Sequence, residues 1–271
     1  MPFVNLQKEG WERLGNAGAL LALALVVLFA SVAVYLYYGH DFRGYYAAGR
    51  VALAGGDPYD YRQVAPVLLQ TTGYAGNNPF YYPPWLCLAF LPLALLPFDL
   101  AHMVWIGVNW VLFFGGLALT FRALDWPIRG WRRWLVSLSA LYLFAWVTLK
   151  FEQLGIFLFF CLAWALWALE RNPSTCVRRR PWINSERSRD IQAGLAMVLL
   201  LTKPNVMLLT VVYLILSSRR SRRRALLWML IWLGVLTSVG TLLFPGWLAG
   251  LFQPGFGLGL THLLDGPDRV L

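Results

Sequence analysis

Charge is scarce in this chain: only 13% of its 271 residues are charged, against 59% hydrophobic residues and 14 tryptophans. So little charge cannot cover a soluble domain, and the balance indicates an integral membrane protein. Acids are scarcer still, 13 Asp and Glu against 23 Lys and Arg, which leaves a net charge of +10. The arginines sit in clusters between apolar runs, where they fix orientation against an anionic inner leaflet. No soluble basic module exists to carry nucleic-acid binding, so that function class is set aside.

Cysteine and histidine number three each. Cys87 and Cys161 lie in apolar runs and Cys176 in an Arg-rich loop, a placement that implies no disulfide framework. His40, His102 and His262 are scattered without ligand spacing, so neither a metal nor another cofactor is expected.

What the chain does have is a succession of apolar runs. Ala17–Tyr38 is 22 residues without a charge, too long for a signal-peptide core, and reads as a retained first span. Further runs follow at 84–98, 103–121, 134–149, 154–169, 191–202, 205–216 and 225–244. Several fall short of the ~20 residues a straight helix needs to cross hydrocarbon. Short runs in pairs predict hairpins or half-spans inside a bundle, where protein neighbours cover the broken backbone. The expectation is an all-α polytopic transmembrane bundle with about seven or eight membrane segments, formed as one domain over residues 1–271.

The Arg-rich loops at 122–133, 170–190 and 219–224 should face the cytoplasm, together with Lys8 and Arg13. His40 to Pro83 then lies outside, as do the turns at 150–155 and 202–205. From Pro83 outside to Arg122 inside the chain must cross an odd number of times, yet two apolar runs lie between. Pro92 and Pro97 resolve this if they make the first run a re-entrant or interfacial piece; the alternative is that one basic loop breaks the rule.

The outer loop, 39–83, holds the densest mixture of charge and aromatic rings: three acids and three arginines fall within residues 40–62. Tyr45, Ala48, Ala52 and Leu53 share related helical faces up to Gly55-Gly56, which predicts an amphipathic helix along the membrane surface. Asn77–Trp85 then re-enters the bilayer through an extended Pro-Pro segment. One reading is an aromatic belt and a solvated loop, with Asp41 merely ending the first span. The other is a pocket at the membrane surface for a ligand with a polar head and a lipid tail. Asp57 and Asp60 read as turn residues and Arg62 as a loop charge. Lys150 and Glu152 read as interface charges, whereas Lys203, between two apolar half-spans, is costly enough to suggest a site.

The stretches "DFRGYYAAGRVALAGGDPYDY", "FYYPPWLCLAFLPLALLP", "EQLGIFLFF" and "GLAMVLLLTKPNVMLL" together resemble glycosyltransferase family 87, polytopic enzymes of the GT-C type. The resemblance runs from about residue 40 to about residue 225 and corresponds to the N-terminal two-thirds of members, so the chain is expected to stop short of their C-terminal part. It implies transfer of a hexose, typically mannose, from a polyprenyl-phosphate sugar on the outer face of the bacterial plasma membrane. The partners so implied are that donor, a glycan or glycolipid acceptor, and membrane lipids. Asp41 matches the acid of the first outer loop, the expected catalytic base. Gln153 matches the Gln of a Gly-Gln pair, with Glu152 standing where Gly is common, and Lys203 matches the lysine of a Lys-Pro turn.

Such a transfer passes through an oxocarbenium-like transition state, and inversion needs one carboxylate base opposite the leaving group. The leaving phosphate is a weak base, so cations can replace a general acid. Asp41 beside arginine is expected to be ionised and ready to accept a proton. Lys203, Arg43 and Arg50 are the donor-phosphate candidates, and Tyr45, Tyr82 and Gln153 the substrate contacts. The absence of a Gly-rich phosphate loop, a catalytic serine arrangement and a nucleotide-binding pattern argues against direct use of a nucleotide sugar. Rival functions are a lipid-linked-sugar transporter, which needs access from both faces and no unique base, and a non-catalytic membrane assembly protein.

Overall fold

The computed structural model describes residues 2–37, 40–73, 78–126, 134, 139, 143–169, 186–217 and 222–252. Most of the three basic loops, together with Cys176, His262 and the side chain of His40, lies outside these residues. The elements are all helices: α1 (Pro2–Tyr37), α2 (His40–Leu53), α3 (Tyr61–Thr72), α4 (Pro84–Ala94), α5 (Phe98–Ala123), α6 (Leu143–Lys150), α7 (Gly155–Leu169), α8 (Glu186–Leu200), α9 (Pro204–Ser217), α10 (Arg222–Leu243) and α11 (Trp247–Phe252). Among the described residues, three segments are long and apolar enough to cross a bilayer, Ala17–Leu36, Phe98–Ala123 and Arg223–Leu243. Leu20, Leu21, Leu28, Phe29 and Leu36 of α1 are exposed, as a lipid-facing surface requires.

The 11 residues of α4 rise only about 16 Å, half of a hydrocarbon core, whereas the 26 of α5 rise about 39 Å. By length α5 crosses and α4 does not, which fits a single crossing between Pro83 and Arg122. Arg62, expected in a loop, instead lies in the first turn of α3, a helix the apolar pattern did not predict.

The chain divides into two compact units. The first comprises residues 1–39 and 102–232. Its core joins Ala30 and Val34 of α1 to Ile106, Trp110 and Phe113 of α5, with Leu149 and Ile156 from α6 and α7. Trp110 also donates its indole N–H to Ser31 Oγ at 2.9 Å. The pairing of α7 with α8 is the most extensive in this unit. Trp164 donates to Gln192 at 3.1 Å and Arg189 to the Trp167 carbonyl at 2.6 Å. Moving three residues forward on α7 moves three back on α8, so the two helices run antiparallel. Lys203 lies as far beyond Gln192 as Gln153 lies before Trp164, which puts both turns at the same end of the pair.

The second unit comprises residues 40–101 and 233–271. In it α2 packs on both α3 and α4. Ala47 and Val51 of α2 meet Val64 and Leu68 of α3 in one buried cluster. Toward α4, a Cβ on Gly49 would stand 2.9 Å from that of Ala94, so glycine lets the two backbones approach. Asp60 caps α3, its carboxylate accepting from Arg62 N at 3.1 Å. Gly73 closes the helix at φ 65°.

Candidate functional site

In the second unit, α2 begins directly after the first span and sets Asp41 in its first turn, half-buried. Tyr45 follows one turn later on the same face, which is the spacing at which helical side chains meet. Its hydroxyl donates to the Tyr82 hydroxyl at 3.1 Å, with the Asp41 carboxylate close enough to act on it electrostatically. Burial pushes the Tyr45 pKa well up, and the Tyr82 and Asp41 charges push it further. Tyr82 is raised as well, by burial first and also by Asp41, against a lowering by its bond with Tyr45. Both phenols therefore stay neutral around a carboxylate that both can face.

The segment carrying Tyr82 is fixed by aromatic packing. Tyr59 donates to the Tyr82 carbonyl at 2.8 Å, and the Phe80 ring lies 5.6 Å from both the Tyr59 and Tyr82 rings. Tyr45 itself packs edge-on to Tyr82, with centroids 5.2 Å apart, and 4.9 Å from Phe90 of α4. Asp57 accepts from Tyr59 N at 2.9 Å, which is turn chemistry.

The two arginine candidates differ. Arg43 is half-buried on α2, next to the Asp41 turn. Arg50 is exposed and donates to the Ala94 carbonyl at 3.3 Å, so it caps the C-terminus of α4. One of its five N–H donors serves that cap, which leaves others to bind an anion.

Gln153 and Lys203 belong to the first unit. Lys203 is half-buried, its carbonyl accepting from Val206 N at 3.1 Å and Met207 N at 3.0 Å to start α9. Pro204 then occupies the first helical position, where its missing N–H leaves no gap. Gln153, also half-buried, sits in the turn that ends α6. There Gln153 N bonds Thr148 O and Glu152 N bonds Leu149 O, both at 3.0 Å. This is a Schellman turn, in which the position of Glu152 is usually glycine. Glu152 adopts φ 53°, a conformation that costs a side-chain-bearing residue about 1–2 kcal/mol.

Glu152 was expected as an interface charge. Instead it is 2% exposed, its carboxylate against Nε2 of a fully buried His102 on α5. Tyr35 of α1 stacks on that imidazole at 5.5 Å. Lys150 does stay half-exposed, 5.8 Å over the Phe151 ring. The histidine–glutamate pair had one sequence signal, a glutamate in place of glycine before Gln153, but nothing marked its partner.

Among the described residues, Asp41, Tyr45 and Tyr82 are thus brought together in one unit, and Gln153 and Lys203 to one end of a helix pair in the other. The model of glycosyltransferase family 87 matches residues 80–262. The chain belongs to glycosyltransferase family 87. It is a glycosyltransferase and a multi-pass membrane protein, acting on a sugar donor and an acceptor. No curated protein and no solved structure matches it. The matched span takes in Tyr82, Gln153 and Lys203, and begins after α2, so Asp41, Arg43, Tyr45 and Arg50 stand on their geometry and on the resemblance of the loop.

Proposed function

We propose that this glycosyltransferase moves a hexose, mannose by the family resemblance, from a polyprenyl-phosphate sugar to a lipid-linked or cell-envelope glycan. The reaction takes place on the outer face of a bacterial plasma membrane and inverts the anomeric centre. Asp41 takes the proton of the acceptor hydroxyl, the oxygen attacks C1 opposite the phosphate, and the C1–O bond to phosphate breaks. Arg43 and the spare donors of Arg50, in the same unit as Asp41, are the cations for the departing phosphate, and Lys203 is the donor-phosphate candidate of the other unit. Tyr45, Tyr82 and Gln153 contact the sugars.

The observation that carries this reading is the setting of Asp41: a half-buried carboxylate in the first turn of the helix that follows the first span in sequence, facing two phenols that burial keeps neutral. A carboxylate that merely ended a helix would not need that setting. Lys203→Met is expected to weaken donor binding by about 1.5–3 kcal/mol, the worth of a charge-assisted bond, and Lys203→Arg to retain part of it.

The donor class is tested with purified protein, a glycolipid acceptor fraction, and labelled mannose supplied either on polyprenyl phosphate or on a nucleotide. Transfer from the lipid donor alone, with inverted configuration in the product, is expected. Transfer from the nucleotide sugar with no polyprenyl phosphate present would overturn the proposal.

A further inference from the structure

The turn between α6 and α7 carries two features that oppose folding. Glu152 holds a backbone conformation suited to glycine, and its carboxylate is buried in an apolar unit against His102. Glycine would close the same turn with neither penalty. A residue kept in such a state is held there by its surroundings, here α5 through His102 and α1 through the stacked ring of Tyr35. What they hold is the peptide leading into Gln153, whose N–H closes on Thr148 O at 3.0 Å. The antiparallel register of α7 and α8 brings the Lys203 turn to the same end.

We propose that Glu152, clamped by His102, is a positioning residue that sets the Gln153 turn for a phosphate-bearing lipid donor at the Gln153–Lys203 end of the α7–α8 pair. The proposal rests on the assignment of Lys203 to the donor phosphate. Glu152 acts through its neighbour: with the carboxylate anchored, the peptide before Gln153 loses its freedom, and the amide side chain meets the donor already oriented. Glycine at 152 keeps the turn and releases the anchor. Glutamine keeps a hydrogen-bonding group toward His102.

The test titrates purified variants with a polyprenyl-phosphate mannose, following tryptophan fluorescence, and records unfolding midpoints beside the affinities. Glu152→Gly is expected to weaken donor binding about tenfold or more, the scale of a misplaced contact, with its midpoint little changed because glycine relieves the backbone. Glu152→Gln is expected to recover most of the affinity. A lowered midpoint with wild-type affinity in Glu152→Gly would show a structural role and overturn the proposal. Should that variant fail to fold, His102→Phe, which keeps a ring against Tyr35, removes the bond to Glu152 and leaves the backbone of the turn alone, carries the same expectation. Lys203→Met separates the two assignments. If it weakens binding and Glu152→Gly does not, the positioning role is wrong and the donor site stands. If Lys203→Met binds as wild type does, the donor site falls and the positioning role with it.

Discussion

Tyr45 holds its proton more firmly than a free tyrosine because burial, Tyr82 and Asp41 all disfavour the phenolate. Its folded pKa lies above the unfolded value of 10.0, so its contribution to stability is complete below that pH. Above it, the unfolded chain loses a proton that the folded chain keeps, and stability falls as pH rises. Unfolding midpoints in detergent from about pH 8 to about pH 11 should therefore drop at the alkaline end, and Tyr45→Phe should flatten the drop. Asp60 shifts the other way: the hydrogen bond from Arg62 holds its carboxyl below the ordinary value. Its contribution is present above the unfolded pKa and disappears as pH falls through the folded one. Asp60→Ala should lower stability by about 1 kcal/mol through loss of the cap on α3, with a smaller difference from wild type in acid. Asp41 stood out in the sequence at the exit of an apolar run and Tyr45 on a shared helical face with Ala48 and Ala52, but that the two meet became visible only in the fold. The His102–Glu152 pair was not, because its members are 50 positions apart and only the fold joins them.

Among the elements, close helix packing depends on glycines that differ sharply in what surrounds them. A Cβ at Gly194 of α8 would stand 2.6 Å from the Met229 backbone nitrogen of α10, and backbone cannot swing aside. The same two helices are tied nearer their N-terminal ends, where the Arg224 guanidinium bonds Glu186 at 2.9 Å and a buried Asp190 at 3.1 Å. Gly107 of α5 has nothing within 4 Å of its would-be Cβ. Gly194→Ala should thus destabilise by about 1–3 kcal/mol, while Gly107→Ala should stabilise by about 0.5–1 kcal/mol; thermal unfolding of both variants checks the contrast. Helices bounded by charge or proline, such as α7 and α9, emerged within a residue or so of their apolar runs. By contrast, α3 did not, because it buries only Val64 and Leu68 and carries Pro66 in its interior, so its apolar pattern is too short to register. The α1 helix also reaches back to Pro2, well before its apolar stretch at Ala17, since helix can continue through polar residues where hydropathy is silent.

For the whole molecule, the orientation we propose rests on the arginine clusters and predicts that α3 faces outside and the start of α8 faces the cytoplasm. Gln70 and Arg187 are both exposed. In a background lacking Cys176, Gln70→Cys should react with a membrane-impermeant maleimide from outside and Arg187→Cys only after permeabilisation; labelling of both from one side would reverse the orientation. The family was legible in ordered short motifs, of which those from Phe80 onward lie within the span that the family model matches. The chemistry proposed for this chain stands on Asp41. Multiple transfers from a polyprenyl-phosphate mannose by wild type and Asp41→Asn, with donor affinity measured in parallel, test it most directly. Asparagine keeps the shape and loses the basicity, so turnover should fall by about 10²–10⁴, the range that a general base supplies, while donor affinity stays near that of wild type. Turnover close to wild type in Asp41→Asn would show that this carboxylate is not the base.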